Sequence, residues 1–142
     1  MSLSSNRSDA IVDRTQNRWQ FTGFYILAIL FNLCLGVQLL TVGLALFQSA
    51  DWWQTHLWFA RKYSVLSLIL VGWSYWVVFP RRVRILSASL PIFLGLQFLT
   101  VRLQTPLPLA VVHPLIGFAL FSTSTTLVHR VGQIVRNPER LG

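Results

Sequence analysis

The sequence predicts an all-α integral membrane protein, a four-helix up-down bundle built from two pseudo-repeated helical hairpins. Composition predicts the class. Hydrophobic residues make up 54% of the 142-residue chain and charged residues only 11%, whereas a soluble domain carries about twice that share of charge. The mean hydropathy is +0.56, and the excess sits in four long apolar runs. A repeat predicts the arrangement. Leu35-Gly36-Val37-Gln38-Leu39-Leu40-Thr41-Val42-Gly43-Leu44 returns 59 residues later as Leu94-Gly95-Leu96-Gln97-Phe98-Leu99-Thr100-Val101-Arg102-Leu103, identical at seven of ten positions. Across a short break, each copy is followed by a histidine that opens the next apolar run, His56 and His113. A true duplication relates the two hairpins by a pseudo-two-fold axis and sets these histidines facing one another.

Each element has its own justification. Residues 1–18 are rich in Ser, Arg and Asp and are expected as a mobile cytoplasmic N-terminus. Residues 19–130 form the four-span domain, with spans at about 21–47, 56–79, 85–103 and 109–128. The first run is longer than a signal-peptide core and has no convincing cleavage site, so it is expected to remain in the mature protein. It is also longer than a bilayer core requires, which predicts a tilt. Gln48 to Thr55 connects the first two spans, with Trp52 and Trp53 suited to the headgroup level. Pro80 stops the second span, and Arg81, Arg82 and Arg84 make a basic loop. The turn Gln104-Thr105-Pro106-Leu107-Pro108 leads into the fourth span, and residues 131–142 are a cytoplasmic tail.

Charge sets the expected orientation. Of the 12 Arg and Lys residues, Arg7, Arg14, Arg18, Arg81, Arg82, Arg84, Arg130, Arg136 and Arg140 flank one side, and only Arg61, Lys62 and Arg102 the other. The positive-inside rule puts both termini in the cytoplasm (or stroma), in a bacterial plasma membrane or a thylakoid. The net charge of +8 sits at the ends of the apolar runs and not on one polar face. It therefore speaks for topology and contact with anionic lipid or a partner, and against nucleic acid. Cys34 is the single cysteine and lies inside the first run. That excludes an internal disulfide and covalent heme attachment, and leaves it as a small apolar filler.

Polar side chains inside the spans carry the functional information, because in hydrocarbon each needs a partner. One stands out per helix: Gln38, His56, Gln97 and His113. At about 1.5 Å per residue, all four fall in the outer half of the membrane. In an up-down bundle, helices two and four are diagonal, so their histidines reach a common ligand from opposite sides. A flat metal macrocycle suits that geometry, with ring nitrogens about 4 Å apart and metal–nitrogen bonds of roughly 2 Å. With no covalent attachment motif, heme b is the expected occupant. Arg61, Lys62 and Arg102 are the outer-side cations available to its propionates; Arg61 and Lys62 are equally suited to snorkelling. Gln38 and Gln97 are read as helix clamps or as contacts to the cofactor edge. His129 beside Arg130 reads as interfacial, Asp51 as a loop acid, and Ser122 to Thr126 as a hydroxyl stripe bonded to the preceding turn. Pro114 either bends the helix beside His113 or sits in its first turn, where proline is tolerated.

These residues also carry a resemblance. Leu94 to Leu103, followed by Leu109-Ala110-Val111-Val112-His113, resembles the segment from helix three to helix four in one half of heme A synthase. That family is built from two four-helix halves, each with a histidine on its second and fourth helices, one pair binding heme b. The resemblance implies His56 and His113 as the equivalent pair. The set Gln38, Phe47, Trp53, His56, Gln97 and His113-Pro114 also resembles a family of uncharacterised four-helix bacterial membrane proteins. The chain departs from heme A synthase in having four spans, one histidine pair and no acidic residue within a span. Heme A synthesis by this chain alone is therefore not expected.

The sequence thus carries two functional readings. In the first, a membrane protein binds heme b through His56 and His113, for electron transfer or heme handling. In the second, it is a small accessory subunit of a bioenergetic or photosynthetic complex, and the same histidines bind chlorophyll or only hydrogen-bond. Membrane lipids, and a larger membrane complex or a second copy of the chain, are the expected partners.

Overall fold

A computed structural model describes residues 3–77, 79–103 and 109–137, with side chains from Arg18 onward. The described residues form an all-α four-helix bundle. Helix α1 spans Leu3–Phe47, α2 Trp52–Trp76, α3 Arg81–Arg102 and α4 His113–Arg136, the last entered through a 3-10 turn at Leu109–Val112. The segment expected as a mobile N-terminus continues α1 from Leu3 onward. The Gln104–Pro108 turn and the end of the tail lie outside the described residues.

Among the described residues, three helical stretches are long and apolar enough to cross a membrane: Arg18–Phe47, Arg81–Arg102 and Leu109–Arg136. Four spans were expected, and α2 is the difference. Its 25 residues reach about 37 Å at 1.5 Å each, more than a hydrocarbon core of about 30 Å. Length is therefore not what it lacks. Gln54, His56, Arg61 and Lys62 crowd its first half and lower its apolar character.

The bundle is cyclic. Helix α1 packs closely on α2 and α4, and α3 on the same two, so α1 and α3, like α2 and α4, stand diagonally. The buried residues explain this packing. They recur at alternating steps of three and four: Phe24, Ala28, Phe31, Leu35 and Gln38 on α1; Ala60, Tyr63, Ser67, Leu70 and Ser74 on α2; Val83, Ser87, Leu90 and Leu94 on α3; Leu120, Ser124, Leu127 and Val131 on α4. A mean step of 3.5 keeps one seam per helix facing the axis, the pattern of left-handed bundles with small crossing angles. The lipid side is as apolar as the inside. Ile26, Leu33, Leu39, Leu68, Ile92 and Phe118 are all exposed.

Lipid tails are no more polar than leucine, so hydrophobicity does not drive these helices together; close packing and hydrogen bonds do. Fully buried Ser67, Ser74, Ser87 and Ser124 keep the seam narrow. The Ser67 and Ser74 hydroxyls donate to the carbonyls of Ser64 and Val71 at 2.7 and 2.8 Å, which removes their need for a distant partner. Near the α2–α3 connection, Phe24 packs between Trp73 and Phe79, with ring centroids 6.3 and 4.5 Å away. Gly23 admits this arrangement, since a Cβ there would meet the Trp73 ring at 3.1 Å.

Midway along the bundle, Asn32 on α1 donates from Nδ2 to Ser124 Oγ and Thr125 Oγ1 on α4, both at 3.1 Å. Thr125 and Thr126 in turn donate to the carbonyls of Phe121 and Ser122. The hydroxyl stripe expected on the fourth helix is thus bonded to its own preceding turn, and it also receives a clamp from the first. Replacing Asn32 by Val removes both interhelical bonds. It should lower resistance to unfolding by sodium dodecyl sulfate in mixed micelles by about 1 kcal/mol.

Candidate functional site

Helices α1 and α3 end where α2 and α4 begin, so Gln38, His56, Gln97 and His113 gather at one end of the bundle. His56 lies one turn inside α2, which starts at Trp52. His113 is the first residue of α4, and Pro114 follows in the first turn. There the missing proline N–H costs nothing, because the first-turn amides have no partner within the helix. Pro114 is therefore a helix-starting proline and introduces no bend within α4.

The geometry around the two histidines is built from the same parts. On the α1–α2 side, Thr41 donates its hydroxyl proton to the Gln38 carbonyl at 2.8 Å, and the same Oγ1 lies 3.0 Å from His56 Nδ1. On the α3–α4 side, Thr100 donates to the Gln97 carbonyl at 2.9 Å, and its Oγ1 lies 3.1 Å from His113 Nδ1. Both threonines are buried and both histidine rings are half-buried. Trp53 presents an edge-on contact to His56 at 5.8 Å between ring centroids.

The glutamine side chains differ. Gln38 is buried, and its Nε2 donates to the His56 carbonyl at 3.2 Å while facing His56 Nε2 at 3.5 Å. Gln97 packs against α4 at Gly117, where a Cβ would stand 2.7 Å from Gln97 Nε2. In both, Oε1 is buried without a hydrogen-bond partner. A buried acceptor left unpaired costs on the order of 1–3 kcal/mol, so this end of the bundle holds two acceptors still open to a donor. One turn beyond each histidine stands a small residue, Ala60 on α2 and Gly117 on α4.

The remaining site candidates lie outside this group. Arg61, Lys62 and Arg102 are exposed, and Lys62 Nζ sits 5.5 Å over the Trp58 ring, a cation–π contact typical of an interfacial side chain. His129 is exposed and pairs with Gln133 at 3.0 Å. Among the described residues, no three His, Cys, Asp or Glu side chains gather as a site for a bare metal ion. A groove of about 370 Å³, lined by Gln20, Ile69, Gly72, Trp73, Trp76 and Val77, is not part of the histidine group.

Thr41, Thr100 and Asn32 were not among the residues singled out from the sequence. The signal for the threonines was present, since each stands three residues after its glutamine in the repeated segment. Three residues is the spacing at which a helical hydroxyl reaches a carbonyl in the preceding turn. Asn32 is a lone amide in the run Leu30-Phe31-Asn32-Leu33.

Residues 38–103 match a family of unknown function (DUF6220). That stretch contains Gln38, Thr41, His56, Gln97 and Thr100, and stops short of His113. No curated protein and no solved structure is matched.

The close approach at Gly117 yields a prediction. Gly117→Leu pushes a side chain into the Gln97 amide and separates α3 from α4, costing about 1–3 kcal/mol as other overpacked sites do. Gly36→Ala, with nothing within 4 Å of the added Cβ, should leave stability within about 0.5 kcal/mol of wild type. Unfolding midpoints of the two variants in mixed micelles make the comparison.

Proposed function

We propose that this chain is a membrane protein that holds one heme b between His56 and His113, serving electron transfer or heme handling and not catalysis of its own. One observation carries the reading. Two half-buried imidazoles stand at the same end of diagonal helices, each tethered at Nδ1 to a buried threonine. Metal-ligating histidines characteristically have their second nitrogen fixed in this way. The donor set suits the group: two imidazoles on diagonal helices at one end of the bundle, each with its Nδ1 against a threonine hydroxyl.

The protein's part in this reading is positional. His56 and His113 would hold the iron through ring nitrogens, and Thr41 and Thr100 would hold their rings. Gln38 and Gln97 stand, one per hairpin, at the same end of the bundle. Bound heme would supply a one-electron couple, tuned by its axial ligands and burial. Arg61, Lys62 and Arg102 are its candidate propionate partners, reaching the group by side-chain rotation from their exposed positions. The likeness of Leu94–His113 to one half of heme A synthase supports the choice of heme. The repeated Gln-x-x-Thr and the paired bonds support a duplicated hairpin. The arginine distribution supports α2 as a fourth span and both termini inside, in a plasma membrane or thylakoid.

A second reading has its own observation. The Gln38 amide already occupies the neighbourhood of His56 Nε2, and the bundle exposes large aromatics to lipid, Trp19, Trp58, Trp76 and Phe118 among them. On this reading the chain is an accessory subunit of a bioenergetic or photosynthetic complex. Its histidines clamp helices or bind chlorophyll, and its aromatic faces pack on partner helices.

Absorption spectroscopy of the detergent-purified protein decides between them. The heme reading predicts a red-shifted Soret band and a sharp α band on reduction, with the bis-imidazole spectrum lost in both His56→Ala and His113→Ala. A colourless protein recovered intact from its native complex would overturn it. Green pigment migrating with a large complex on a native gel would favour the second.

A further inference from the structure

We infer that Thr41 and Thr100 are positioning residues, each holding its histidine as the neutral Nδ1–H tautomer and leaving Nε2 as a bare lone pair. The metal centre that such lone pairs would serve rests on the proposed function; the tautomer itself does not.

The available protons assign the tautomer. A threonine hydroxyl has one. At 2.8 and 2.9 Å from the Gln38 and Gln97 carbonyls, which can only accept, that proton is spent on the main chain. Each Oγ1 then has only lone pairs to offer to the Nδ1 it meets at 3.0 or 3.1 Å. The contact is a hydrogen bond only if the ring nitrogen donates, which requires Nδ1–H. The opposite tautomer would require each hydroxyl to give up its carbonyl at 2.8 or 2.9 Å and turn its proton to Nδ1.

The far side of His56 agrees independently. Its Nε2 faces the Gln38 amide nitrogen at 3.5 Å, and that nitrogen carries only hydrogens. An Nε2–H would point donor at donor, whereas an unprotonated Nε2 meets a weak donor that an incoming ligand can displace. The hydrogen bond made by one imidazole nitrogen sets the state of the other. Here it is set the same way at both histidines by a hydroxyl three residues after a glutamine.

Nitrogen-15 NMR of the apo chain, labelled at histidine and held in detergent micelles, reads the tautomer directly. His56 and His113 should each show a protonated Nδ1 and an unprotonated, pyridine-like Nε2. His129, which contacts neither threonine, serves as the internal reference. Thr41→Val and Thr100→Val keep the side-chain shape and remove the acceptor, so each should release its own histidine from the Nδ1–H form. Thr41→Ser and Thr100→Ser restore the hydroxyl and should restore the wild-type pattern. An Nε2–H pattern in the wild type overturns the inference even where a valine variant does not fold. So does a folded valine variant whose pattern is unchanged.

Added ferric heme separates this outcome from the fate of the proposed function. If heme binds, the valine variants should lose about 10–100-fold in affinity, the usual cost of losing an outer-shell partner. If none binds while the apo protein shows Nδ1–H at both sites, the heme reading fails and the tautomer assignment stands.

Discussion

The structure depends on one constraint: in a hydrocarbon environment, a polar group that is not paired within the protein goes unpaired. The cost is several kcal/mol per group, larger than most packing differences between neighbouring side chains. Several polar residues of the described helices accordingly act in sets, while the fully buried Ser87 hydroxyl has no partner. Ser67 and Ser74 spend their protons on their own helix. Asn32 reaches across to Ser124 and Thr125. Gln38 and Thr41 close on His56, and Thr100 on His113. Each interhelical set joins helices adjacent around the bundle, and together they tie α1 to α2, α3 to α4, and α1 to α4.

The apolar seam alone does not produce that outcome. Alternating steps of three and four bring any four such helices together, and exposed leucines face lipid as readily as buried ones face the axis. What the seam does is fix which residue meets which. Phe24, Ala28, Phe31 and Leu35 lead in register to Gln38 and Thr41, so the polar end of α1 arrives where α2 begins. The same ladder on α3 passes Leu90 and Leu94 and arrives at Gln97 and Thr100. Register in the apolar part is thus converted into hydrogen-bond geometry at the end of the bundle.

That end combines satisfied and unsatisfied groups in an uneven way. Both Nδ1 atoms, both threonine hydroxyls and one glutamine amide are paired, while the two glutamine Oε1 atoms are buried and open. The first half of α2 adds Gln54, His56, Arg61 and Lys62 to this half of the molecule, which is what costs that helix its apolar character.

Much of the fold was legible because it rests on local chemistry. Long apolar runs, Pro80 and the arginine-rich connection mark helices and their ends wherever they occur. Gln38 and His56, or Gln97 and His113, could be singled out as amides and imidazoles in apolar surroundings. The partners of these side chains were not legible. Thr41 and Thr100 look like ordinary helical residues until the neighbouring helix places an imidazole 3.0 or 3.1 Å from the hydroxyl. Asn32 is anonymous until Ser124 comes opposite, and the role of Pro114 waited on where α4 begins. By itself the sequence determined four helices, an all-α class and a short list of polar residues, because composition and periodicity act within one helix. Only the tertiary structure decided which of them meet, because a hydrogen bond between helices depends on rotation and register to within a fraction of an ångström, and those come from packing.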